Sequence, residues 1–381
     1  MYIDLTPEQR ALRDELREYF NSIPRTHGRT AWNEPRAPDY RDVCRRLGAD
    51  GWLGIGWPRE YGGQGRGPME QLIFFEEAER ARVPMPVIAL NTVGPTLMKF
   101  GSEDQKAFFL PKILAGEIDF AVGYTEPEAG TDLASLRTRA VRHGDEFVIN
   151  GSKIFTSGAE DCEYIWLAAR TDPDVPKHRG ISIFILESPA QGLKVTPITT
   201  LAGLQTTATY YEDVRVPATM LVGEENQGWQ LITNQLNHER VALATTGWVR
   251  KIWEDVVEWA RAEDVIDIPW VQLNLARVDA LVEALKLFNW RVAAGLQAGG
   301  LSPADASAQK VFGTEAYIEC YRLMQEVLGP VGYIKKGSPG AVLNGVLEQA
   351  YRSAVILTFG GGVNEIQRMI IATAGLGLPR G

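Results

Sequence analysis

The acidic residue at position 239 is the best candidate in this sequence for a group that accepts a proton. Ile232, Leu236, Glu239 and Leu243 are spaced by four, three and four residues, so a helix would bring them onto one face. A carboxylate in an apolar stripe loses hydration, which raises its pKa and makes it a stronger base. The alternative is a structural Glu239 that pairs with an arginine of a neighbouring helix.

A loop rich in hydroxyl groups and glycine is the second place where chemistry is expected. The stretch GYTEPEAGTDLAS, residues 123–135, contains Thr125, Gly130 and Thr131. Its hydroxyl groups and backbone amides could donate hydrogen bonds to a ring carbonyl or a phosphate, and glycine permits close approach of the backbone. Taken alone, the stretch is also explained by a polar loop between two domains.

Several common catalytic motifs are absent from the sequence. It has no G-x-x-x-x-G-K-[ST], no G-x-G-x-x-G that opens a helix after a strand, no G-x-S-x-G and no H-E-x-x-H. His238 and Glu239 begin the last motif, but Ala242 occupies the position of its second histidine. These absences argue against nucleoside triphosphatases, Rossmann dehydrogenases, serine hydrolases and zinc proteases, and we expect no metal site.

Composition limits the classes of partner. The formal net charge of −9 provides no basic surface for nucleic acid or for an anionic membrane. The three cysteines are too far apart for a disulfide framework or a clustered zinc site. The N-terminal stretch lacks the order of a signal peptide, and no apolar run approaches the ~18 residues of a membrane span. We therefore expect a cytoplasmic protein with small-molecule or protein partners.

Hydrophobic spacing divides the 381 residues into three predicted domains. Residues 1–119 have helical spacing, 120–222 are dominated by short β-prone runs, and 223–381 return to long helical segments. The first helix is well marked because Thr6 can cap it and Gln9 completes a capping box. We expect an α+β protein, mainly helical, in which a middle β domain separates a helical N-terminal domain from a C-terminal helix bundle.

The middle segment contains the clearest local signals for strands. In DEFVINGSKIFTSG, Asn150 and Gly151 lie between two β-prone runs, which predicts a hairpin with a type I′ turn. Further strands are expected in YIWLAART, GISIFILES and ATYYEDVRVP because β-branched and aromatic residues favour strands.

Motifs spread along the whole chain resemble those of the acyl-CoA dehydrogenase family of flavoproteins. In family order and spacing, they are PREYGGQG, GSEDQKAFFLPKILAGE, YTEPEAGTD, NGSKIFTSG, DVRVPATMLVGEENQGW and NEIQRMIIA. The resemblance implies the acyl-CoA dehydrogenase fold, with a C-terminal four-helix bundle. It also implies bound FAD, α,β-dehydrogenation of an acyl-CoA thioester to the 2-enoyl-CoA, and an electron-transfer flavoprotein as the acceptor.

The resemblance also assigns roles to individual residues. Thr125 corresponds to the hydroxyl that bonds the pyrimidine edge of the flavin, and Thr131 to a residue that contacts flavin and substrate. Phe155 matches the aromatic residue against the isoalloxazine, for which the alternative is a strand residue of the β core. Ser157 matches the hydroxyl near flavin N5. The cofactor-binding residues implied are Thr125, Gly130, Thr131, Phe155, Thr156 and Ser157.

The usual catalytic carboxylate of the family is missing from its expected place. Much of the family carries it in a YEGT motif, whose matching residues here are Phe359 and the three glycines at 360–362. One branch has its base in an earlier Glu-Arg pair, which Glu239 and Arg240 match. The resemblance therefore implies Glu239 as the α-proton base and Arg240 as a substrate-binding residue.

The glycines at 360–362 leave two interpretations open. They can simply make a sharp connection between helices. Alternatively, the loss of a side chain at Gly360 leaves room beside the acyl pocket for a bulky or branched acyl group.

Two further motifs depart from the family pattern. Homotetrameric relatives bind the FAD pyrophosphate and adenosine of a neighbouring subunit through R-x-x-F-G and Q-x-L-G-G-x-G. Here Asp264 replaces the phenylalanine of the first motif, and Glu326 and Pro330 replace a glutamine and a glycine of the second. An acidic residue beside a pyrophosphate is unfavourable, and proline removes an amide donor. The FAD half-site that this chain would lend to a neighbour is therefore predicted to be lost.

The chain most resembles subunits of the actinobacterial heterotetrameric acyl-CoA dehydrogenases of sterol side-chain degradation, which belong to steroid and cholesterol catabolism. This resemblance implies an α2β2 heterotetramer with a homologous subunit, one FAD per heterodimer, and a steroid side-chain CoA thioester as the substrate. Two alternatives stay open: a non-catalytic scaffold subunit, and an acyl-CoA oxidase that returns electrons to oxygen.

Overall fold

The structure is a computed structural model that describes residues 3–23, 39–238 and 244–379, without the side chains of 236–238. The chain divides into two compact units. The β unit comprises residues 25–65 and 84–239, and the helical unit comprises 1–24, 66–83 and 240–381. Among the described residues, no helix combines the length and the apolar character needed to cross a membrane.

The α-helices of the described residues begin with one whose cap was predicted. Gln9 N donates to Thr6 Oγ1 at 3.2 Å, and Thr6 N donates to Gln9 Oε1 at 3.1 Å, so the capping box is confirmed. The buried face of this helix is formed by Leu12, Leu16 and Phe20. In chain order the helices are α1 (Pro7–Ser22), α2 (Tyr40–Ala49), α3 (Pro68–Arg80), α4 (Gly94–Phe100), α5 (Glu103–Leu114), α6 (Gly228–His238), α7 (Gly247–Ala262), α8 (Pro269–Gln297), α9 (Pro303–Leu328), α10 (Val346–Ala354) and α11 (Asn364–Ile370).

The strands of the β unit form one mixed sheet. They are β1 (Phe120–Gly123), β2 (Arg139–His143), β3 (Glu146–Ile154), β4 (Tyr164–Arg170), β5 (Ile181–Glu187), β6 (Leu193–Thr199), β7 (Gln205–Pro217) and β8 (Leu221–Val222). Their order is β6-β7-β3-β2-β4-β5-β8, with β1 parallel to β4. The three further strands expected from the sequence are confirmed as β4, β5 and β7.

The hairpin predicted at Asn150 and Gly151 is wrong, because both residues lie inside β3. The register with β7 shifts beside Gly151, which marks a β-bulge. A Cβ at Gly151 would lie 2.7 Å from Thr138 Cα, and Asn150 Nδ2 donates across to Asp213 Oδ1 at 3.0 Å. Gly151 therefore allows the close approach of Thr138, and Asn150 bonds to β7. The turn of the β2–β3 hairpin lies at Gly144 instead.

The helical unit has its core among α7, α8 and α9. Side chains such as Val256, Val278 and Met324 are fully buried in one apolar cluster there. Helices α8 and α9 contain 29 and 26 residues, as the long helical spacing indicated. The α+β, mainly helical fold class is confirmed, whereas the domain boundaries after residues 119 and 222 stay a prediction.

Candidate functional site

The loop after β1 has a shape fixed by its own backbone. Glu126 and Ala129 exchange two backbone hydrogen bonds of 3.1 Å, and the last residue of β3 donates to the carbonyl of Thr125 at 2.9 Å. Gly130 and Thr131 follow this closed turn and are exposed. A Cβ at Gly130 would meet only the methyl group of Thr125, at 3.9 Å. The three predicted residues of this loop therefore lie close together, beside open space.

A buried ion pair joins the loop to β3. Lys153 donates from Nζ to Glu126 Oε1 at 2.8 Å and to the carbonyl of Tyr124 at 3.0 Å. Glu126 also accepts from the backbone N of Arg137 at 2.6 Å and of Thr138 at 2.8 Å. These contacts connect the loop to the end of β3 through buried hydrogen bonds.

The protonation of this pair follows from its surroundings. Burial lowers the pKa of Lys153 to about 8, although the charge of Glu126 acts against this. Burial also acts to raise the pKa of Glu126, but the charge of Lys153 and the donated hydrogen bonds outweigh burial and hold that pKa below its usual value. Both groups are therefore charged at neutral pH, where the attraction between them is strongest.

The turn after β3 exposes an aromatic side chain. Phe155 has φ 63° and is 56% exposed. A non-glycine residue in the left-handed region carries about 1–3 kcal/mol of strain, and a phenyl ring that is more than half exposed gains little from the hydrophobic effect. Neither feature stabilises the fold, so both favour a surface for a planar ligand. The alternative of a β-core strand residue is wrong, because Phe155 lies beyond β3 and is exposed.

The next two residues hold this turn against β7. Thr156 is buried, and its backbone N donates to the carbonyl of Thr207 at 3.0 Å. Ser157 is half-buried, with its Oγ 2.8 Å from Thr206 Oγ1. A hydroxyl has one donor and two acceptor positions, so Ser157 keeps capacity for a further bond.

The residues present fit an isoalloxazine ring in chemical type. They provide an exposed phenyl ring, hydroxyl groups at Thr125 and Ser157, and open space at Gly130. A backbone hydrogen bond joins Thr125 to the last residue of β3, which directly precedes Phe155. The predicted flavin-binding residues of the loop and of the turn after β3 therefore lie close together. When bound, a flavin would supply the hydride acceptor of a dehydrogenation.

The two residues proposed for substrate chemistry lie outside the described residues. Glu239 and Arg240 directly follow α6, which is described to His238. Of the predicted apolar stripe, Ile232 is buried, with 3% exposure. The assignment of Glu239 as the base stays a prediction.

The chain that follows this stretch is anchored in the helical unit by carboxylates of α3. Thr246 donates from Oγ1 to Glu76 Oε1 at 2.9 Å, and Thr245 donates from Oγ1 to Glu79. The hydroxyl of Tyr317 donates to the carbonyl of Thr245. Burial raises the pKa of Glu79 to about 7, and the charge of Glu76 adds to this shift. The start of α7 is therefore held by side chains of two other helices.

The three glycines at 360–362 differ in whether their backbone conformation requires glycine. Gly361 has φ 67° and Gly362 has φ 102°, whereas Gly360 does not lie in the left-handed region. The nearest atom to a Cβ at Gly360 would be the carbonyl oxygen of Ile356, at 3.1 Å. A bent connection therefore explains the glycines at 361 and 362, but backbone conformation does not require glycine at 360.

A buried lysine holds this segment. Lys310 on α9 is 2% exposed and donates from Nζ to the carbonyls of Thr358 at 3.1 Å and Gly362 at 2.6 Å. It also donates to Asn364 Oδ1 at 2.7 Å, at the start of α11. Because both ends of the bend are bonded to one ammonium group, the shape of the glycine segment is fixed by α9.

Neither of these two lysines belongs to the residues predicted from the sequence. A signal existed for Lys153, because Phe147, Ile149 and Lys153 share the inward face that the period of two defines in β3, and all three are buried. A charged residue at such a position requires a buried partner. Lys310 gave no comparable signal, since its partners are mostly backbone carbonyls about fifty residues away.

Comparisons with known proteins cover nearly the whole chain. Models of the acyl-CoA dehydrogenase N-terminal, middle and C-terminal domains match residues 6–117, 121–214 and 226–376. Acyl-CoA dehydrogenase FadE26 of Mycobacterium tuberculosis is 51% identical over 397 residues, with 100% of this chain and 99% of the relative covered.

Solved structures agree with these matches over the full length. The Tcur3481-Tcur3483 steroid ACAD has a chain 53% identical to this one, with a TM-score of 0.97 and 100% of both chains covered. The ChsE4-ChsE5 complex from Mycobacterium tuberculosis has a chain 51% identical, with a TM-score of 0.92 and 100% of both chains covered. The chain therefore belongs to the acyl-CoA dehydrogenase family, whose members are flavin-dependent oxidoreductases.

Proposed function

We propose that this chain is the flavin-binding, catalytic subunit of a heteromeric acyl-CoA dehydrogenase that acts on a bulky, steroid-derived acyl-CoA. The observation that carries the proposal is Phe155, an exposed aromatic residue in a left-handed conformation, connected through β3 to the loop of Thr125. This platform suits the isoalloxazine of FAD, which the hydroxyl groups of Thr125 and Ser157 would help to hold.

The side chains of this subunit have separate tasks in the reaction. Glu239 takes the α-proton of the thioester while the β-carbon loses hydride, so the base must be ionised before the reaction and close to the α-carbon. Arg240 and Thr131 contact the substrate.

The glycine at position 360 supports a bulky substrate. Backbone conformation does not require it, and its place is that of the usual family carboxylate. We propose that the missing side chain leaves space for a branched or polycyclic acyl group. The relative named as a steroid ACAD, at 53% identity, favours the same substrate class.

A Gly360→Glu variant tests this role of the glycine. We expect kcat/KM to fall at least tenfold for a polycyclic CoA ester and to change less for a straight-chain ester, because the added side chain occupies acyl space. The matched control is Gly300→Glu, at a glycine where a side chain meets nothing within 4 Å. If Gly360→Glu leaves both esters unaffected, the specificity role is wrong.

A second, homologous subunit is proposed to complete the FAD site. Glu326, at the position of a family glutamine, already accepts from Asn274 Nδ2 at 3.0 Å and pairs with Arg322 in its own chain. Pro330 has no amide hydrogen to offer. These features support the loss of the adenosine half-site. Each of the two solved relatives is named after two different proteins, Tcur3481-Tcur3483 and ChsE4-ChsE5. We propose an α2β2 heterotetramer that passes electrons to an electron-transfer flavoprotein.

The experiment that tests the proposed function is a substrate panel on the chain co-expressed with its homologous partner. Steroid side-chain CoA esters are expected to bleach the flavin and yield 2-enoyl-CoA, which mass spectrometry detects as the loss of two hydrogens. If no CoA ester bleaches the flavin, the proposal is wrong. Bleaching that depends only on the partner's carboxylate would favour a scaffold subunit, and stoichiometric peroxide would favour an acyl-CoA oxidase.

A further inference from the structure

A chain of hydrogen bonds in the β unit ends in the buried side chain of Gln235 on α6. Trp166 Nε1 donates to the hydroxyl oxygen of Tyr124 at 3.0 Å, and that hydroxyl donates to Gln235 Oε1. An indole N–H can only donate, so the Tyr124 hydroxyl accepts from Trp166, and it uses its own hydrogen toward Gln235 Oε1. Oε1 is therefore the atom that faces Tyr124, and the amide nitrogen Nε2 faces elsewhere.

This amide nitrogen has no acceptor among the residues that the structure describes. Gln235 is 2% exposed, so bulk water does not satisfy it either. A buried donor without a partner costs about 1–3 kcal/mol, and folded proteins satisfy nearly all such groups. A bound ligand with a hydrogen-bond acceptor would satisfy Nε2 and so explain why the protein retains this unpaired donor.

The position of Gln235 relates it to the proposed site. Tyr124 immediately precedes Thr125, whose loop is proposed to bind the flavin, and Lys153 fixes the backbone carbonyl of Tyr124 at 3.0 Å. In the sequence, Gln235 lies four residues before the proposed base, which directly follows α6. Gln235 Nε2 is therefore connected, through Tyr124, to the loop that is proposed to bind the flavin. In the sequence it lies shortly before the proposed base.

The chemistry of the network indicates the kind of acceptor. Indole, phenol and amide groups are all uncharged, whereas phosphates and carboxylates are usually held by cations. A single neutral N–H suits a neutral carbonyl or hydroxyl oxygen.

We propose that Gln235 Nε2 donates a hydrogen bond to a neutral oxygen of the bound acyl-CoA and so helps to select the substrate. This inference rests on the proposed function, because it takes the ligand to be an acyl-CoA. The oxygen can belong to the thioester or to a hydroxyl or keto substituent of the acyl group, and both sources share the same chemistry.

The test compares Gln235→Met, which keeps the side-chain length but removes the donor, with the control Gln230→Met at an exposed position of the same helix. Dissociation constants of the 2-enoyl-CoA products are measured on the flavin-loaded complex by calorimetry, with one hydrocarbon acyl group and one that carries a hydroxyl. Loss of one hydrogen bond predicts about tenfold weaker binding for Gln235→Met and no change for Gln230→Met.

The two products distinguish the sources of the oxygen. Equal weakening for both identifies the thioester oxygen, and weakening for the hydroxylated product alone identifies the substituent. Unchanged affinity for both, with a lower melting temperature, would show a merely structural glutamine and overturn the inference. Since affinities are measured without turnover, this result is distinct from a failure to oxidise any CoA ester, which would reject the proposed function instead.

Discussion

At the scale of single residues, the site depends on side chains that do not serve stability. Phe155 is exposed and has a left-handed backbone conformation. A Phe155→Gly variant is expected to lose most of its bound flavin, since it loses the aromatic surface. The unfolding free energy of the flavin-free protein should change by less than about 1 kcal/mol, because glycine adopts positive φ without strain. Flavin absorbance per chain and urea unfolding measure the two effects.

The control for this variant is Phe108→Ala in α5, where a phenyl ring is 44% exposed. It should leave the flavin content unchanged. Full flavin content in Phe155→Gly would show that the exposed ring has another purpose.

At the scale of elements, the anchoring of α7 by α3 makes stability depend on pH. The pKa of Glu79 is raised from 4.5 to about 7 by burial, and that of neighbouring Glu76 is also raised by burial. Between pH 4.5 and about pH 7 the folded state therefore binds more protons at Glu79 than the unfolded state does. The stability that protonated Glu79 contributes is fully present below pH 4.5 and is lost as the pH rises through about 7.

A Glu79→Gln variant removes this titration. From pH 5 to pH 8 the wild-type protein should lose on the order of 1–3 kcal/mol more unfolding free energy than the variant. Urea unfolding at several pH values measures the difference, with Glu258→Gln on the exposed face of α7 as the control. Parallel pH profiles of wild type and Glu79→Gln would contradict the raised pKa.

The elements also show what the sequence could predict. Local signals were reliable where one segment contains both partners, as in the Thr6–Gln9 capping box. The Asn150–Gly151 prediction failed because contacts with Thr138 and Asp213 on other segments decide its conformation. The motifs pointed to the loop of Thr125 and to the turn at Phe155, but not to the lysine that joins them, since a buried ion pair is a property of packing. The positive φ of Phe155 was likewise invisible in the sequence.

At the scale of the whole molecule, the altered half-site motifs predict the stoichiometry of the assembly. Co-expression with the homologous partner should give a heterotetramer with one FAD for every two chains, because this chain is proposed to hold the flavin ring and the partner to supply the adenosine half-site. Light scattering and flavin absorbance of the purified complex measure both numbers. A self-assembled homotetramer with one FAD per chain would contradict the pairing.

Glu239 is proposed to accept the α-proton of the substrate. A Glu239→Gln variant, mixed anaerobically with a steroid side-chain CoA ester, tests it by following the visible absorbance of oxidised flavin. We expect a normal flavin content and at least a hundredfold slower bleaching, because the variant lacks a general base. Bleaching at the wild-type rate would contradict this role of Glu239.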